Sequence, residues 1–393
     1  MGYTTQGFKA SAVSAGLKKN GALDLCLIYS EKAATAAGVF TTNLVKAAPV
    51  LLSMEHIRDG KARAIVANAG NANACSGPQG MRGAQKTAEL VSRSLGILPE
   101  EVLVASTGVI GEPLDMNLVS NAIALLAESL GPDGLQDAAK AIMTTDSFSK
   151  MARFEGAVDG HPYKITGMAK GAGMIMPDMA TMLSFILTDI SIDAASLQAA
   201  LLEGVEKTFN RTTVDGDTST NDTVFALANG MAGNGPLSQG DLMEFTRGLT
   251  LVMDDLARMI ARDGEGATKF VTVELKGAAS AHDALQGART IANSALVKTA
   301  IYGRDPNWGR IMAALGRAGI SMDESATDIC VDDVQIVKGG LGCGKKAEKT
   351  AAKRMEKDSF VISIDMHLGT FAEKIYTCDL SHEYVSINAD YRT

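Results

Sequence analysis

Residues 170–185, with the sequence KGAGMIMPDMATMLSF, join a glycine-rich loop to the start of an apolar strand. Gly171 allows backbone angles that are closed to other residues, and Pro177 prevents a helix from continuing across it. Residues 181–188 are apolar, β-branched and aromatic, which predicts a buried strand. The sequence therefore puts Thr181 at the first position of a buried strand, directly after a loop that we expect to be strained.

A threonine at such a position has a specific chemical use. Its hydroxyl is a weak nucleophile without an adjacent base, and the α-amine of Thr181 itself is one available base. That amine exists only if the Ala180–Thr181 bond is cut, which Thr181 Oγ can achieve by attacking the Ala180 carbonyl carbon. A free α-amine has a pKa of ~7.7–8.0, which suits a general base. On the residues alone, a plain glycine turn before a core strand is the commoner interpretation.

The string around Thr181 resembles the self-cleaving segment of the ornithine acetyltransferase family, the enzymes of the cyclic arginine pathway. Two positions depart, because Ala172 and Asp178 stand where the family has Ser and Asn, and Asp178 puts a charge near the predicted cut. Other segments are similar to those of the family, in its order, along nearly the whole chain: GFKASAVSAGLKKNG, ANAGNANACSG, ASTGVIGE, TTDSFSK, TTVDGDTSTND, RDGEGATKF, YGRDPNWGRIMAALGRAG and YVSINADYRT.

The resemblance implies a fold and an assembly. The fold is α/β, a layered sandwich of helices and mixed β-sheets, of the self-cleaving N-terminal-nucleophile type of ornithine acetyltransferase and DmpA-like proteins. Self-cleavage between Ala180 and Thr181 would give an α chain, residues 1–180, and a β chain, residues 181–393. The two chains would stay together and pair into an α2β2 heterotetramer.

The resemblance also implies the reaction. Thr181 Oγ, with its own α-amine as the base, would take the acetyl group from N2-acetyl-L-ornithine and hold it as an ester. After ornithine leaves, L-glutamate would accept the acetyl group in the same pocket, which makes the transfer a ping-pong reaction. No cofactor is implied, although the family allows acetyl-CoA as a second acetyl donor for N-acetylglutamate synthesis.

Ser106-Thr107-Gly108 is predicted to interrupt a short strand that begins at Val102. A threonine hydroxyl and a glycine amide side by side can both donate to one developing negative charge. Thr-Gly is also a common turn, so the pattern alone does not decide. The resemblance implies that Thr107 and Gly108 form the oxyanion hole.

Five further residues match positions where the family binds substrate: Thr144, Lys170, Glu265, Asn388 and Thr393. The residues alone allow plainer interpretations. Thr144 could cap a helix, Lys170 could be a solvated lysine, and Glu265, between two glycines, is predicted to be exposed. The resemblance implies that the Lys170 ammonium binds the substrate carboxylate and that Glu265 binds the substrate's amino end, which are both charge-assisted contacts.

Composition limits the classes of function. The chain has 393 residues and a net charge of −8, which argues against nucleic acid or an anionic membrane surface as partner. Five scattered cysteines and five dispersed histidines favour a reducing compartment with no disulfide framework and no metal site. No apolar run reaches the ~18 residues of a membrane span and no signal peptide is seen, so a cytoplasmic protein is predicted.

Periodicity and turn residues predict parts of the architecture. Residues 1–60 are predicted to be strands and turns, and Asp159-Gly160 to be the turn of a hairpin. Residues 210–222, the most polar loop of the chain, are predicted to be solvated and near the active site.

Three competing functions remain open. An amide hydrolase with an N-terminal nucleophile would use the same Thr181 but would let water attack the acyl-enzyme. A nucleotide-binding protein could use residues 339–346, GGLGCGKK, which nearly fit the P-loop pattern. Lys346 stands where that pattern needs a hydroxyl, so a glycine turn between strand and helix is favoured. A non-enzymatic interaction protein is the weakest choice.

Overall fold

The computed structural model describes residues 2–176 and 182–390, and these residues form two compact units. The first unit contains residues up to 210 together with 217–260, and the second contains residues 211–216 together with those from 261 onward. This boundary differs from the division at 180/181, which concerns a covalent cut and stays a prediction. Each unit is built around its own mixed β-sheet.

Within the described residues, the sheet of the first unit has eight strands. Seven follow in the order β4-β3-β2-β8-β7-β6-β5, and β1 pairs with β2 outside this path. Their bounds are β1 (Phe8–Val13), β2 (Leu25–Phe40), β3 (Lys61–Asn71), β4 (Val102–Val109), β5 (Lys150–Val158), β6 (His161–Lys170), β7 (Leu183–Thr188) and β8 (Thr223–Ala228).

Parallel and antiparallel pairs occur in this one sheet. The pairs β3–β4 and β7–β8 are parallel, whereas β2–β3, β2–β8, β5–β6 and β6–β7 are antiparallel. Strands β7 and β8, which follow residue 181, lie between β2 and β6, which precede it. The predicted α/β fold with mixed β-sheets is confirmed.

Both faces of this sheet are buried, as alternation along β2 shows. Leu25 and Leu27 belong to an apolar cluster with helices on one face, and Cys26 and Ile28 belong to the cluster on the other face. Successive strand residues point to opposite faces, so both faces are apolar. The helices of this unit are α1 (Ala48–His56), α2 (Gly77–Leu95), α3 (Met116–Glu128), α4 (Leu135–Ala141), α5 (Ala194–Lys207) and α6 (Gln239–Arg262), whose last two residues fall in the second unit.

The second unit has a sheet in the order β12-β11-β10-β13-β9-β14, in which β9 and β13 are parallel. Val271, Val273 and Leu275 of β9 pack with Ala284 and Ala288 in one apolar core. The strands are β9 (Phe270–Ala278), β10 (Asp328–Val331), β11 (Val334–Lys338), β12 (Leu341–Gly342), β13 (Ser359–Asp365) and β14 (Phe371–Cys378). The helices are α7 (Ala281–Ala292), α8 (Ala295–Tyr302), α9 (Trp308–Gly316), α10 (Lys345–Arg354) and α11 (His382–Asp390).

Two predictions about the first 110 residues are wrong. Residues 1–60 are not only strands and turns, because α1 occupies Ala48–His56 with Pro49 in its first turn, where proline favours a helix start. Ser106-Thr107-Gly108 does not interrupt its strand either, because β4 continues to Val109 alongside β3. The turn at Asp159-Gly160 is confirmed, with both residues at positive φ between β5 and β6.

The polar loop 210–222 is not solvated, which corrects another prediction. Thr213 and Asp222 are fully buried, and Asn221 is almost so. The side-chain amide of Asn221 donates to the carbonyl oxygens of Ala72 (2.6 Å) and Ser106 (2.8 Å). Polar side chains stay inside when their hydrogen bonds are made within the protein. No helix within the described ranges is long and apolar enough to cross a membrane.

Candidate active site

The end of β4 presents Thr107 and Gly108 at an irregular stretch of the parallel pair β3–β4. The register shifts at Gly70 and Asn71, opposite these two residues, as in a β-bulge. Gly108 has φ +129°, and a Cβ on it would lie 2.6 Å from the Asn71 nitrogen. Only glycine fits there, since the two backbones approach too closely for a side chain. The chain therefore keeps a bare backbone group beside the Thr107 hydroxyl.

Lys170 ends β6 and reaches this position. Its residue is 3% exposed, so the solvated-lysine interpretation is wrong. Lys170 Nζ donates a hydrogen bond to Thr107 Oγ1 at 3.2 Å. Because the hydroxyl oxygen accepts this bond, its own hydrogen points elsewhere and can be donated to another acceptor. Two residues singled out in the sequence, 63 positions apart, are thus in direct contact.

Asp146 connects Thr144, another predicted site residue, to Gly171, the residue after Lys170. One carboxylate oxygen accepts from Lys150 Nζ (2.6 Å) and from the Gly171 N–H (2.7 Å), and the other accepts from the Thr144 N–H (2.9 Å). The side chains of Asp146 and Lys150 are both fully buried. The Asp146 carboxylate therefore holds the backbones of Thr144 and Gly171 close together.

The charge of Asp146 is secured by its surroundings. Burial acts to raise its pKa, but the ammonium groups of Lys170 and Lys150 and the hydrogen bonds it accepts outweigh burial. The pKa of Asp146 is lowered to about 2. Sequence reasoning assigned no role to Asp146 or Lys150. The available signal was an aspartate two residues after Thr144 with a lysine four residues further on.

Asn221 is hydrogen-bonded to the end of β4, and sequence reasoning assigned no role to it. Its two side-chain bonds reach Ser106, next to Thr107, and Ala72, just beyond β3. Ser106 Oγ in turn donates to Asn68 Oδ1 at 2.6 Å. A satisfied buried network of this kind gives a strand end one fixed geometry.

Asp222 lies beside the first described residue after the predicted cut. It is fully buried, and Oδ1 accepts a hydrogen bond from the Met182 N–H at 2.8 Å. Thr223 N–H donates to the Met182 carbonyl oxygen at 3.0 Å. Asp222 Oδ2 is buried and has no hydrogen-bond partner among the described residues. Burial raises the pKa of Asp222 well above its ordinary value, against the opposing effects of the Met182 N–H, the Lys170 charge and the Ser219 N–H.

The predicted cleavage residues Ala180 and Thr181 lie outside the described residues, as does Thr393. In the second unit, Glu265 and Asn388 are brought together, and Asn388 Nδ2 donates to Glu265 Oε2 at 2.8 Å. Glu265 is 7% exposed, so the prediction that it is exposed is wrong. Asn388 belongs to α11, most of whose residues are exposed.

The near-match to a P-loop does not form a phosphate cradle. Residues 339–344 turn from β11 into β12 and then into α10, as a hairpin. The Gly339 N–H donates to Asp328 Oδ1, the Gly340 N–H to the Thr327 carbonyl and the Cys343 N–H to the Ile336 carbonyl. A P-loop needs such amides to face phosphate, so this segment does not favour nucleotide binding.

Comparisons with known proteins identify the family of the chain. The ArgJ family model matches residues 9–393. A relative from Desulfotalea psychrophila, called arginine biosynthesis bifunctional protein ArgJ, is 50% identical over 390 residues, covering 99% of each chain. A relative from Methanocaldococcus jannaschii, called glutamate N-acetyltransferase, is 47% identical over 399 residues, covering 99% of this chain and 97% of that one.

One solved structure adds a likeness in three dimensions. The crystal structure of arginine biosynthesis bifunctional protein ArgJ from Bacillus halodurans is 46% identical, with a TM-score of 0.52. The match covers 54% of this chain and 100% of that chain. The resemblance drawn from the sequence motifs is confirmed, and the chain belongs to the ArgJ family, a family of arginine-biosynthesis enzymes.

Proposed function

We propose that this enzyme is a glutamate N-acetyltransferase that transfers an acetyl group from N2-acetyl-L-ornithine to L-glutamate. The single observation that carries the proposal is the contact between Lys170 Nζ and Thr107 Oγ1. It joins a buried cation, suited to an amino-acid carboxylate, to a hydroxyl whose hydrogen can be donated. The names of the relatives from D. psychrophila and M. jannaschii support the same activity.

Thr107 and Gly108 are the proposed oxyanion hole. When a nucleophile adds to the acetyl carbonyl, charge develops on its oxygen, and fixed donors stabilise that charge. The Lys170 ammonium polarises the Thr107 hydroxyl that it bonds, which makes the hydroxyl a stronger donor. The bulge at Gly108 supports the role of the backbone, because it removes any side chain from this point.

Substrate contacts follow from charge. Lys170 is proposed to bind the α-carboxylate that acetylornithine and glutamate share, with Thr144 beside it. Glu265, held by Asn388, is proposed to bind the amino end of the substrate, since a carboxylate suits an ammonium. Thr393 is proposed as a further substrate contact on the resemblance alone.

The nucleophile is proposed to be Thr181, released by self-cleavage after Ala180. The resemblance of residues 170–185 to the family's self-cleaving segment supports a cut at this place. The sheet order supports a product whose two pieces stay together, because β7 and β8 are hydrogen-bonded to β6 and β2 across the proposed division.

Transfer would then proceed in two halves. Thr181 Oγ attacks the acetyl carbonyl, its proton passes to the α-amine, and ornithine leaves with the proton that it needs. The amine of glutamate next attacks the acetyl ester, and Thr181 Oγ regains its proton. Mature enzyme is proposed to be an α2β2 heterotetramer, which a solution mass of twice the 41.0 kDa chain would support.

Acetyl transfer in two stages is tested by separating them. Purified enzyme is mixed with acetylornithine alone, and its intact mass should rise by one acetyl group on the 181–393 piece while ornithine is released. Adding glutamate should remove that mass and produce N-acetylglutamate. Release of acetate without glutamate would instead favour the hydrolase. Acetyl-CoA in place of acetylornithine tests the second donor, and a Thr181→Ala chain that transfers acetyl normally would overturn the mechanism.

A further inference from the structure

Asp222 has a combination of features that acetyl transfer does not use. It is fully buried, and one carboxyl oxygen accepts a hydrogen bond from the Met182 N–H. The other oxygen, Oδ2, has no partner among residues 2–176 and 182–390. A buried carboxyl oxygen that makes no hydrogen bond is costly for a structure, so an oxygen without a partner in the described part of the chain is a candidate for a chemical role.

Covalent geometry puts this carboxyl near the predicted cut. Met182 N is bonded to the carbonyl carbon of Thr181, so the Thr181 nitrogen is three covalent bonds away and within about 4 Å. Asp222 Oδ1 lies 2.8 Å from Met182 N. Thr223 N–H holds the Met182 carbonyl, which fixes the position of this peptide relative to Asp222.

We infer that Asp222 is the proton donor to the Thr181 nitrogen during self-cleavage. This inference rests on the proposed cut between Ala180 and Thr181. Burial raises the pKa of Asp222 well above its ordinary value, which favours the protonated carboxyl, and Lys170 is the charged group among the described residues that opposes this shift. A protonated Asp222 carboxyl could donate the proton on Oδ2 to the Thr181 nitrogen as the C–N bond breaks.

The step balances with no external acid or base. Thr181 Oγ forms a bond to the Ala180 carbonyl carbon, and the Ala180–Thr181 C–N bond breaks. The nitrogen keeps its own hydrogen and takes one proton from Thr181 Oγ and one from Asp222 Oδ2. An α-ammonium and an Asp222 carboxylate result, and water then hydrolyses the ester to the Ala180 carboxylic acid and the Thr181 hydroxyl. Return of the proton to Asp222 leaves a neutral amine that can act as base.

Four chains test the inference: wild type, Asp222→Asn, Asp189→Asn and Thr181→Ala. The asparagine at 222 can still accept the Met182 N–H but cannot act as an acid. Asp189 is a matched control, because it is also buried and its Oδ1 accepts a backbone N–H, that of Lys164, at 2.7 Å. Intact mass and N-terminal sequencing follow the cut with time, and thermal unfolding checks the fold.

Wild type and Asp189→Asn are expected to give two pieces, and Thr181→Ala to stay uncut at 41.0 kDa. Asp222→Asn is expected to be cut about 100-fold more slowly or worse, which is the range of general acid catalysis. Cutting of Asp222→Asn at the wild-type rate would overturn the inference alone. A wild-type chain that stays uncut would overturn the proposed cleavage and the inference together.

Chemical rescue separates acid chemistry from a structural role of Asp222. It also tests the inference in the case that Asp222→Asn does not fold. In Asp222→Ala, added formate should restore cutting, because formic acid can occupy the space and supply the proton. Formamide has a similar shape and no acidic proton, so it should not restore cutting. Equal rescue by both compounds, or none by formate, would overturn the inference.

Discussion

Replacing Asp146 by Asn tests the buried ion pair beside the proposed substrate contacts. The change removes the charge and one of two oxygens, and it leaves the fully buried Lys150 ammonium without its carboxylate. Removing one partner of a buried pair costs about 3–5 kcal/mol of unfolding free energy. Because Asp146 also accepts from Thr144 and Gly171, the variant should show a higher KM for acetylornithine and for glutamate.

The unfolding free energy lost in Asp146→Asn should become smaller as pH falls. The pKa of Asp146 is about 2 in the folded chain against an ordinary value of 3.8. A lowered pKa means that the carboxylate stabilises the fold above about pH 4 and that this contribution is lost as pH falls towards 2. The shift corresponds to about 2 kcal/mol. The difference between wild type and Asp146→Asn should therefore shrink by about that amount on going from pH 7 to pH 2.

Urea unfolding of both chains, followed by circular dichroism at a series of pH values, measures this difference. The control is Asp137→Asn, which breaks the Lys140–Asp137 pair in α4, where both side chains are more than half exposed. That variant should lose no more than about 0.5 kcal/mol. Equal unfolding midpoints for wild type and Asp146→Asn at pH 7 would refute the reasoning, and so would a difference that is the same at pH 7 and pH 2.

Three further changes address the other proposed contacts. Lys170→Met should lower kcat/KM for acetyl transfer by about 100-fold or more, because it removes a substrate cation and the polarisation of an oxyanion donor; an unchanged steady-state rate would contradict this. Gly108→Ala should abolish most activity through backbone collision at φ +129°, whereas Gly111→Ala, also at positive φ but with nothing within 4 Å of its Cβ, should keep most of it. Asn388→Ala should raise KM a few-fold by releasing Glu265, and a KM equal to that of wild type would count against the contact.

Local signals in the sequence predicted part of this structure well. The Asp159-Gly160 hairpin was predicted from two residues that tolerate positive φ. An apolar run predicted a strand over residues 181–188, of which Leu183–Thr188 form β7. The interior of the loop 210–222 could not be read from its polar composition. Asn221 is buried because its partners, at Ala72 and Ser106, come from distant strands, and no local pattern announces such partners.

The same reason explains which site residues were found. Thr107, Lys170 and Glu265 were singled out by motifs that resemble a family, and the structure adds that two of them touch. Asp146 and Asp222 lie within the quoted segments TTDSFSK and TTVDGDTSTND, but the resemblance implied no role for either residue. Their importance arises from burial and from donors that arrive from elsewhere in the chain, so only the folded arrangement reveals it.

The position of β7 and β8 between β2 and β6 sets an order of events during synthesis. When the ribosome has made residues up to 170, β2 and β6 each lack the neighbour that joins them in the finished sheet. The gap is filled only after residue 228 has been made, since β2 pairs with β8. Unpaired strand edges attract other chains, so the two pieces made as separate polypeptides should aggregate unless they fold around each other. Translation as one polypeptide avoids that hazard, and the proposed cut would keep this benefit by following folding.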